Sequence, residues 1–311
     1  SKAGHEPIVL DSLINGHEWA AKYGPLEQGD VGDEALVKEV CAKHQPEALI
    51  HFAAFIEVGE SVANPDKYYE NNTHKAKILF DTVADCGVKA AVFSSTAAVY
   101  GTPVSDDPIA EDHPQKPINP YGESKLLAEQ HLRSLDGKGL RSVALRYFNA
   151  AGAGPAEEMI GEAHTPETHL IPNILRASLG YMEGGMKVFG TDYETRDGTA
   201  LRDYIHVLDL ASAHIAALHY MKDGGATDVC NLGTGTGSTV MEVIKSAEKV
   251  TGKPVPHTLE GRREGDPPIL IANAARAREK LGWTPEYSLD DCVSSAFAWH
   301  KTDSYRKAVG L

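Results

Sequence analysis

Tyr121 and Lys125 stand four residues apart in the run Tyr121-Gly122-Glu123-Ser124-Lys125, a spacing that places both on one face of a helix. Asn119-Pro120 immediately upstream suits a helix entry, because proline is tolerated in the first turn. Ala128, Leu132 and Leu135 continue the same face at core spacing, so both polar side chains point toward the protein body. Burial of polar groups there costs free energy unless it serves a purpose. Proton transfer is one such purpose. A free tyrosine, with a pKa near ~10, is a poor base at neutral pH. A neighbouring ammonium, or the positive ring of an oxidised hydride acceptor, favours phenolate and lowers that value. A tyrosine tuned this way takes a hydroxyl proton while the carbon gives up hydride. Alone, YxxxK is a short motif that ordinary helices also carry. Ser94-Ser95-Thr96 adds context, because it closes an upstream apolar run where a parallel strand would meet a ligand crevice. Hydroxyls there relay or orient a proton, or simply cap the strand end.

The elements that must position these groups alternate as in a parallel α/β sheet. Strands are expected at Glu6–Asp11, Leu26–Asp30, Ala48–Ala54, Ala90–Thr96 and Arg141–Phe148. Helices are expected over Asp33–Ala42, Lys67–Cys86 and Tyr121–Leu135. Ala150–Pro172, rich in Gly, Ala, Pro and Glu, reads as a loop crossing between domains. Helices return at Pro172–Leu179 and Val207–Met221, followed by a strand-to-helix unit over Asp228–Val250. The fold class is α/β, a Rossmann-like doubly wound parallel sheet with a smaller α/β substrate domain. The first domain is expected over residues 1–150. Residues 151–311 form mainly the second, with room for segments that return to the first sheet.

A dinucleotide-binding sheet needs a glycine-rich turn after its first strand and a ribose-binding acid about 20 residues later. Asp11 fits the acid, so the turn is expected upstream of Ser1, with the chain opening inside the first helix. On this reading the first strand and the glycine-rich loop are missing from the chain. Gly233-Thr234-Gly235-Thr236-Gly237 imitates a phosphate loop. Its GxGxG spacing and the lack of an acid-ended strand downstream favour a tight turn instead.

Bulk properties exclude several classes. A formal net charge of −14 over 311 residues disfavours nucleic acid and anionic membrane, which are themselves polyanions. Cys41, Cys86, Cys230 and Cys292 show no CxxC pair and read as isolated buried thiols in a reducing compartment. No HExxH or close His/Cys run announces a metal, and none is expected. No apolar run is long enough to span a membrane.

The ordered segments together resemble the UDP-galactose 4-epimerases of the extended short-chain dehydrogenase/reductase group. The first half carries His51-Phe52-Ala53-Ala54 with Val58-Gly59-Glu60-Ser61, then Tyr69-Glu70-Asn71-Asn72 and Phe93 to Gly101. Pro120 to Lys125 and Leu145-Arg146-Tyr147-Phe148-Asn149 follow. The second half carries Asp197-Gly198-Thr199, Arg202-Asp203-Tyr204-Ile205-His206-Val207, Asn231-Leu232-Gly233 and Arg262-Arg263-Glu264-Gly265-Asp266.

The resemblance implies NAD-dependent interconversion of UDP-glucose and UDP-galactose at C4 through a 4-keto intermediate, in a cytoplasmic homodimer. It makes Tyr121 the acid/base and Thr96 its hydroxyl partner at O4. Lys125 would bind the nicotinamide ribose and tune Tyr121. Asp11 would hold the adenosine ribose and Asp30 and Val31 would flank adenine. Phe52, Ala53, Ala54, Asn71, Ser94 and Tyr147 would line the cofactor. Asn149, Leu170, Arg202, Arg263 and Asp266 would hold the UDP-sugar, with Phe189 near uracil. Leu270 would govern room for a 2-N-acetyl group. UDP-N-acetylhexosamines and UDP-pentoses are rival substrates. A 4,6-dehydratase needs further acid/base groups, and Ala97 and Ala98 occupy the positions where they commonly stand. A non-catalytic nucleotide-sugar binder is the rival of a different class.

Overall fold

The computed structural model describes residues 1–158, 160–263 and 266–311. The chain opens in a turn and an extended lead-in, not in the expected helix, and the strand expected from Glu6 starts only at Val9. Gly4, with φ +84, and Pro7 account for this, since neither conformation continues a helix.

From there the chain runs β1 (Val9–Asp11), β2 (Leu26–Gln28), α1 (Glu34–His44), β3 (Ala48–His51), α2 (Val58–Ala63), α3 (Pro65–Tyr68), α4 (Ala76–Asp85), β4 (Ala90–Thr96), α5 (Pro120–Ser134) and β5 (Arg141–Tyr147). It continues through β6 (Asn149–Ala151), α6 (Leu170–Leu179), β7 (Met186–Phe189), β8 (Leu201–Arg202), β9 (Tyr204–His206), α7 (Val207–Lys222) and β10 (Asp228–Leu232). The last elements are β11 (Ser238–Thr239), α8 (Val240–Thr251), β12 (His257–Glu260), β13 (Ile269–Leu270), α9 (Ala275–Leu281), α10 (Leu289–His300) and α11 (Asp303–Val309). Among the described residues no helix is long and apolar enough to cross a membrane.

The chain divides into two compact units. The first comprises Ser1–Gly101, Pro114–Arg146 and His214–Cys230. Here β1 pairs in parallel with β2, Val9 opposite Leu26, while β3 pairs in parallel with β4, Ala48 opposite Ala90. These belong to separate sheets, one of β1-β2 and one ordered β10-β5-β4-β3. The core of this unit packs Leu79, Phe80 and Val83 of α4 and Leu132 of α5 against Ala91 and Phe93 of β4. Helix α1 begins at Asp33, whose carboxylate accepts from the Ala35 and Leu36 amides, and ends at Gln45 in the left-handed region. These are local start and stop signals.

The expected single helix over Lys67–Cys86 is interrupted. Over Tyr69–Lys75 it widens to π winding before α4 resumes. The cause is Asn72, whose buried amide bonds both the N–H and the C=O of Phe55 (2.8 and 2.9 Å). The extra residue per turn lets that side chain reach out of the helix.

The second unit comprises Thr102–His113, Tyr147–Ala213 and Asn231–Leu311. It contains the sheet β11-β8-β13 and the pairs β12-β7 and β6-β9. Its core gathers Ile174 and Leu175 of α6, Val243 and Ile244 of α8 and Val293 of α10. Capping boxes start both α8 (Thr239 with Glu242) and α10 (Ser288 with Asp291), each satisfying two orphan backbone donors.

Candidate active site

In the first unit the groups expected to do chemistry converge on the carboxyl end of β4 and the first turns of α5. Thr96 is buried and accepts from the Ala98 amide (3.1 Å), turning the chain as β4 ends. Asn119 caps α5 by accepting from the Gly122 amide (2.8 Å), with Pro120 in the first turn. Tyr121 therefore sits at the helix N-terminus, where the positive end of the macrodipole favours a negative side chain. Gly122 lies so close to the turn after β4 that an added Cβ would stand 2.5 Å from the Ala98 carbonyl oxygen. Only glycine lets α5 approach at this point.

One turn on, Lys125 is 3% exposed and its ammonium lies 4.5 Å from the centre of the Phe93 ring. Burial pushes its pKa down to about 7, partly countered by Glu129. This is an amine whose charged form is poorly solvated, and hydroxyl acceptors would relieve the cost of charging it.

The other expected cofactor residues of this unit follow its strands. Asp11 ends β1 and accepts from the Leu13 amide (2.7 Å). Asp30 accepts from the Gly32 amide and pairs with Lys75, and Val31 packs on the core beside it. Phe52 and Ala53 are exposed and Ala54 half-buried directly after β3. Ser94 is buried in β4, and Asn71 lies in the π-wound stretch, donating to Asn72 (3.0 Å).

The second unit holds the remainder. Arg202 on β8 is opposite Leu270 on β13 and pairs with Asp266 at 2.5 Å. Asn149 opens β6 and donates to the Asp203 carbonyl (3.2 Å). Phe189 ends β7, and the Arg263 guanidinium lies 4.0 Å from its ring centre, a cation–π contact. Leu170 begins α6 and Tyr147 ends β5, both half-buried. Glu264 and Gly265 of the Arg262-to-Asp266 run lie outside the described residues.

The Gly233–Gly237 loop is no phosphate cradle, for a physical reason. The wholly buried Asp203 carboxylate already accepts from the amides of Thr234, Gly235 and Ala272 and from the Thr234 hydroxyl. A protein carboxylate occupies the place an anion would take.

Sequence reasoning missed two sets of supporting residues. Buried Glu129 binds the Arg146 guanidinium through both oxygens and also accepts from Ser95 (2.8 Å). Arg146 in turn donates to the Tyr100 hydroxyl (2.9 Å). This bidentate charge network ties β4, α5 and β5 together one turn beyond Lys125. Its signal was an arginine inside the apolar strand Ser142-Val143-Ala144-Leu145-Arg146. The second set is Asn72 with Thr73, both bonded to Ser124 beside Lys125. The thiols also differ from expectation. Cys86 is exposed, and Cys41 beside it is pushed up to about 11 by burial and by that neighbouring thiol. Folding brings α1 and the end of α4 together, a proximity that no CxxC spacing encodes.

Comparison with known proteins identifies the family. The model of the NAD dependent epimerase/dehydratase family matches residues 1–233. The UDP-glucose 4-epimerase of Rhizobium leguminosarum bv. trifolii is 53% identical, over 96% of this chain and 90% of that protein. The enzyme of the same name from Lactobacillus helveticus is 45% identical, over 97% and 91%. Among solved structures, UDP-glucose 4-epimerase from Brucella ovis in complex with NAD superimposes with a TM-score of 0.92 at 45% identity, covering 96% of this chain and 92% of that one. The Bifidobacterium longum enzyme in complex with NAD+ and UDP gives 0.89 at 38% identity, covering 97% and 93%. With residues 1–233 matched by its model and relatives up to 53% identical over nearly the whole length, the chain belongs to the NAD dependent epimerase/dehydratase family.

Proposed function

We propose that this chain interconverts UDP-glucose and UDP-galactose by inverting C4 with tightly bound NAD. The observation that carries the reading is Lys125, a buried cation packed on β4, one helical turn from Tyr121 and on the strand that ends in Thr96. NAD fits these residues at its reactive end, because the nicotinamide ribose offers hydroxyl acceptors to a desolvated ammonium. Asp11 suits the adenosine ribose, Asp30 and Val31 the adenine, and Phe52, Ala53, Ala54, Asn71, Ser94 and Tyr147 the remaining cofactor surface. Bound NAD supplies a hydride acceptor and donor for C4.

Tyr121 takes the O4 proton as the carbon is oxidised and returns it after the sugar has turned its other face. Thr96 orients O4. Lys125, with the helix N-terminus, keeps the phenol acidic enough for this task. Asn149, Arg202 and Arg263 hold the diphosphate and Asp266 the uridine ribose. Phe189 and Leu170 border the nucleotide, and Leu270 sets the room at C2. The similarity of the chain to UDP-glucose 4-epimerases supports the substrate class. The family likeness and the exposed Val58 and Val62 on α2, a helix packed on α5, support a homodimer. The absence of a disulfide among Cys41, Cys86 and Cys292 supports a cytoplasmic setting.

The test is turnover of UDP-galactose, UDP-N-acetylgalactosamine and UDP-arabinose by the purified protein, followed by proton NMR. UDP-galactose should give UDP-glucose at the highest kcat/KM. Binding of all three without turnover would leave a nucleotide-sugar binder and defeat the proposal. Sedimentation equilibrium should give twice the chain mass.

A further inference from the structure

Two Glu-x-His turns five residues apart, Glu162-Ala163-His164 and Glu167-Thr168-His169, lead into α6. In each, the glutamate accepts from the backbone amide of its own histidine, at 2.8 Å and 2.7 Å, and also bonds that histidine's Nδ1. The turns fold onto each other, with the two imidazole rings 5.6 Å apart. Potential donor atoms of Glu162, His164 and His169 all lie within 4.8 Å of one another. The backbone of Glu162 is held from behind, its carbonyl accepting from the Trp299 indole at 2.6 Å.

We propose that Glu162, His164 and His169 form a binding site for a divalent cation of the zinc class, which braces residues 160–169 against α10. Two imidazoles and one carboxylate are a donor set that zinc prefers, with a fourth position left to water. The side chains are partly open, at 28% for Glu162, 32% for His164 and 38% for His169, so an ion has an entry path. Ligands of a tetrahedral ion at about 2.0–2.2 Å stand roughly 3.4 Å apart. His169 therefore needs to approach by little more than an ångström, while Glu162 and His164, now in hydrogen-bond contact, spread to admit the ion.

His169 is already oriented for this role. Its Nδ1–H donates to the Glu167 carboxylate at 2.8 Å, and that carboxylate is 1% exposed. The ring is thereby fixed in the tautomer that presents Nε2 as a ligand, the carboxylate–histidine pairing that supports metal-bound imidazoles. At Glu162 and His164 the ion would replace the proton the two now share, and that proton leaves to solvent. None of the three ligands belongs to the proposed NAD or UDP-sugar set, so this inference is independent of the epimerase reading.

The test uses full-length protein stripped with chelator and titrated calorimetrically with Zn2+, and separately with Co2+ under visible absorbance. The wild type should take up one equivalent per chain and show the intense absorption of tetrahedral cobalt. Zinc should also raise its thermal midpoint. H164A and H169A should each lose at least about tenfold in affinity, and Glu167→Gln about tenfold through the second sphere. Far-UV circular dichroism of the metal-free variants checks that they fold. If one fails to, the wild-type stoichiometry and cobalt spectrum still decide. No stoichiometric uptake, a weak octahedral cobalt spectrum, or unchanged affinity in the folded variants would each overturn the site.

Discussion

Lys125 shows how one side chain can be legible in sequence yet acquire its character only from packing. The YxxxK spacing placed it on the Tyr121 face, but its value as an electrostatic device comes from the Phe93 ring and the exclusion of water. Burial lowers its pKa from the ordinary 10.5 to about 7 in the folded chain. Between those values the unfolded state binds more protons, so the folded state gains stability as pH rises. The penalty is complete below the folded value and gone above the unfolded one. Urea midpoints of cofactor-free protein should therefore climb between pH 7 and 10 more steeply than those of Lys125→Met. Equal slopes would show that the ammonium is better solvated than the fold implies. Tyr121→Phe removes only the proton-carrying oxygen. It should lower kcat by about 10²–10⁴ while calorimetric UDP affinity stays unchanged. A KM effect without a kcat effect would assign Tyr121 to binding instead. The nucleotide residues were legible as types but not as partners, since Arg202 and Asp266 are 64 positions apart in sequence and meet through β8 and β13.

At the scale of elements, strands and helices followed their hydrophobic periods closely, and the departures have local causes. Strand β3 stops at His51, three residues before its expected end, because Phe55 is claimed by Asn72. The same claim widens the helix over Tyr69–Lys75. Neither was visible beforehand, since Asn72 finds its partners 17 and 52 positions away. Asn72 bonds the loop after β3 and also the Ser124 hydroxyl on α5 (3.2 Å), so one amide joins the expected cofactor loop to the helix that carries Tyr121 and Lys125. Asn72→Leu should leave the part-buried N–H and C=O of Phe55 without their side-chain partner, at the lower half of about 1–3 kcal/mol for each group because solvent reaches them in part. A drop of about 2–4 kcal/mol in denaturant stability is expected, with weaker retention of NAD on gel filtration. A neutral effect on both would mean that water replaces the amide at no cost. The decoy glycine loop teaches the converse lesson: its sequence suits an anion, but Asp203 is buried there and fills the nest itself.

For the whole molecule, a net charge of −14 means that binding of an anionic nucleotide would fall to a few local cations, and the proposed reading assigns this to Arg202 and Arg263, beside Asp266 and Phe189. The broad class was legible because apolar runs alternate with amphipathic stretches, and because ordered motifs span the chain. What stayed illegible were long-range couplings: the Glu129–Arg146–Tyr100 network and the Cys41–Cys86 proximity. Each joins residues whose spacing carries no motif. The central claim is that one hydride leaves C4 and returns to it within a single turnover, with Tyr121 moving the proton. UDP-galactose carrying deuterium at C4, converted in ordinary water and examined by NMR and mass spectrometry, tests this directly. The predicted product is UDP-glucose that keeps its deuterium at C4, and loss of the label to solvent, or no UDP-glucose at all, would contradict it.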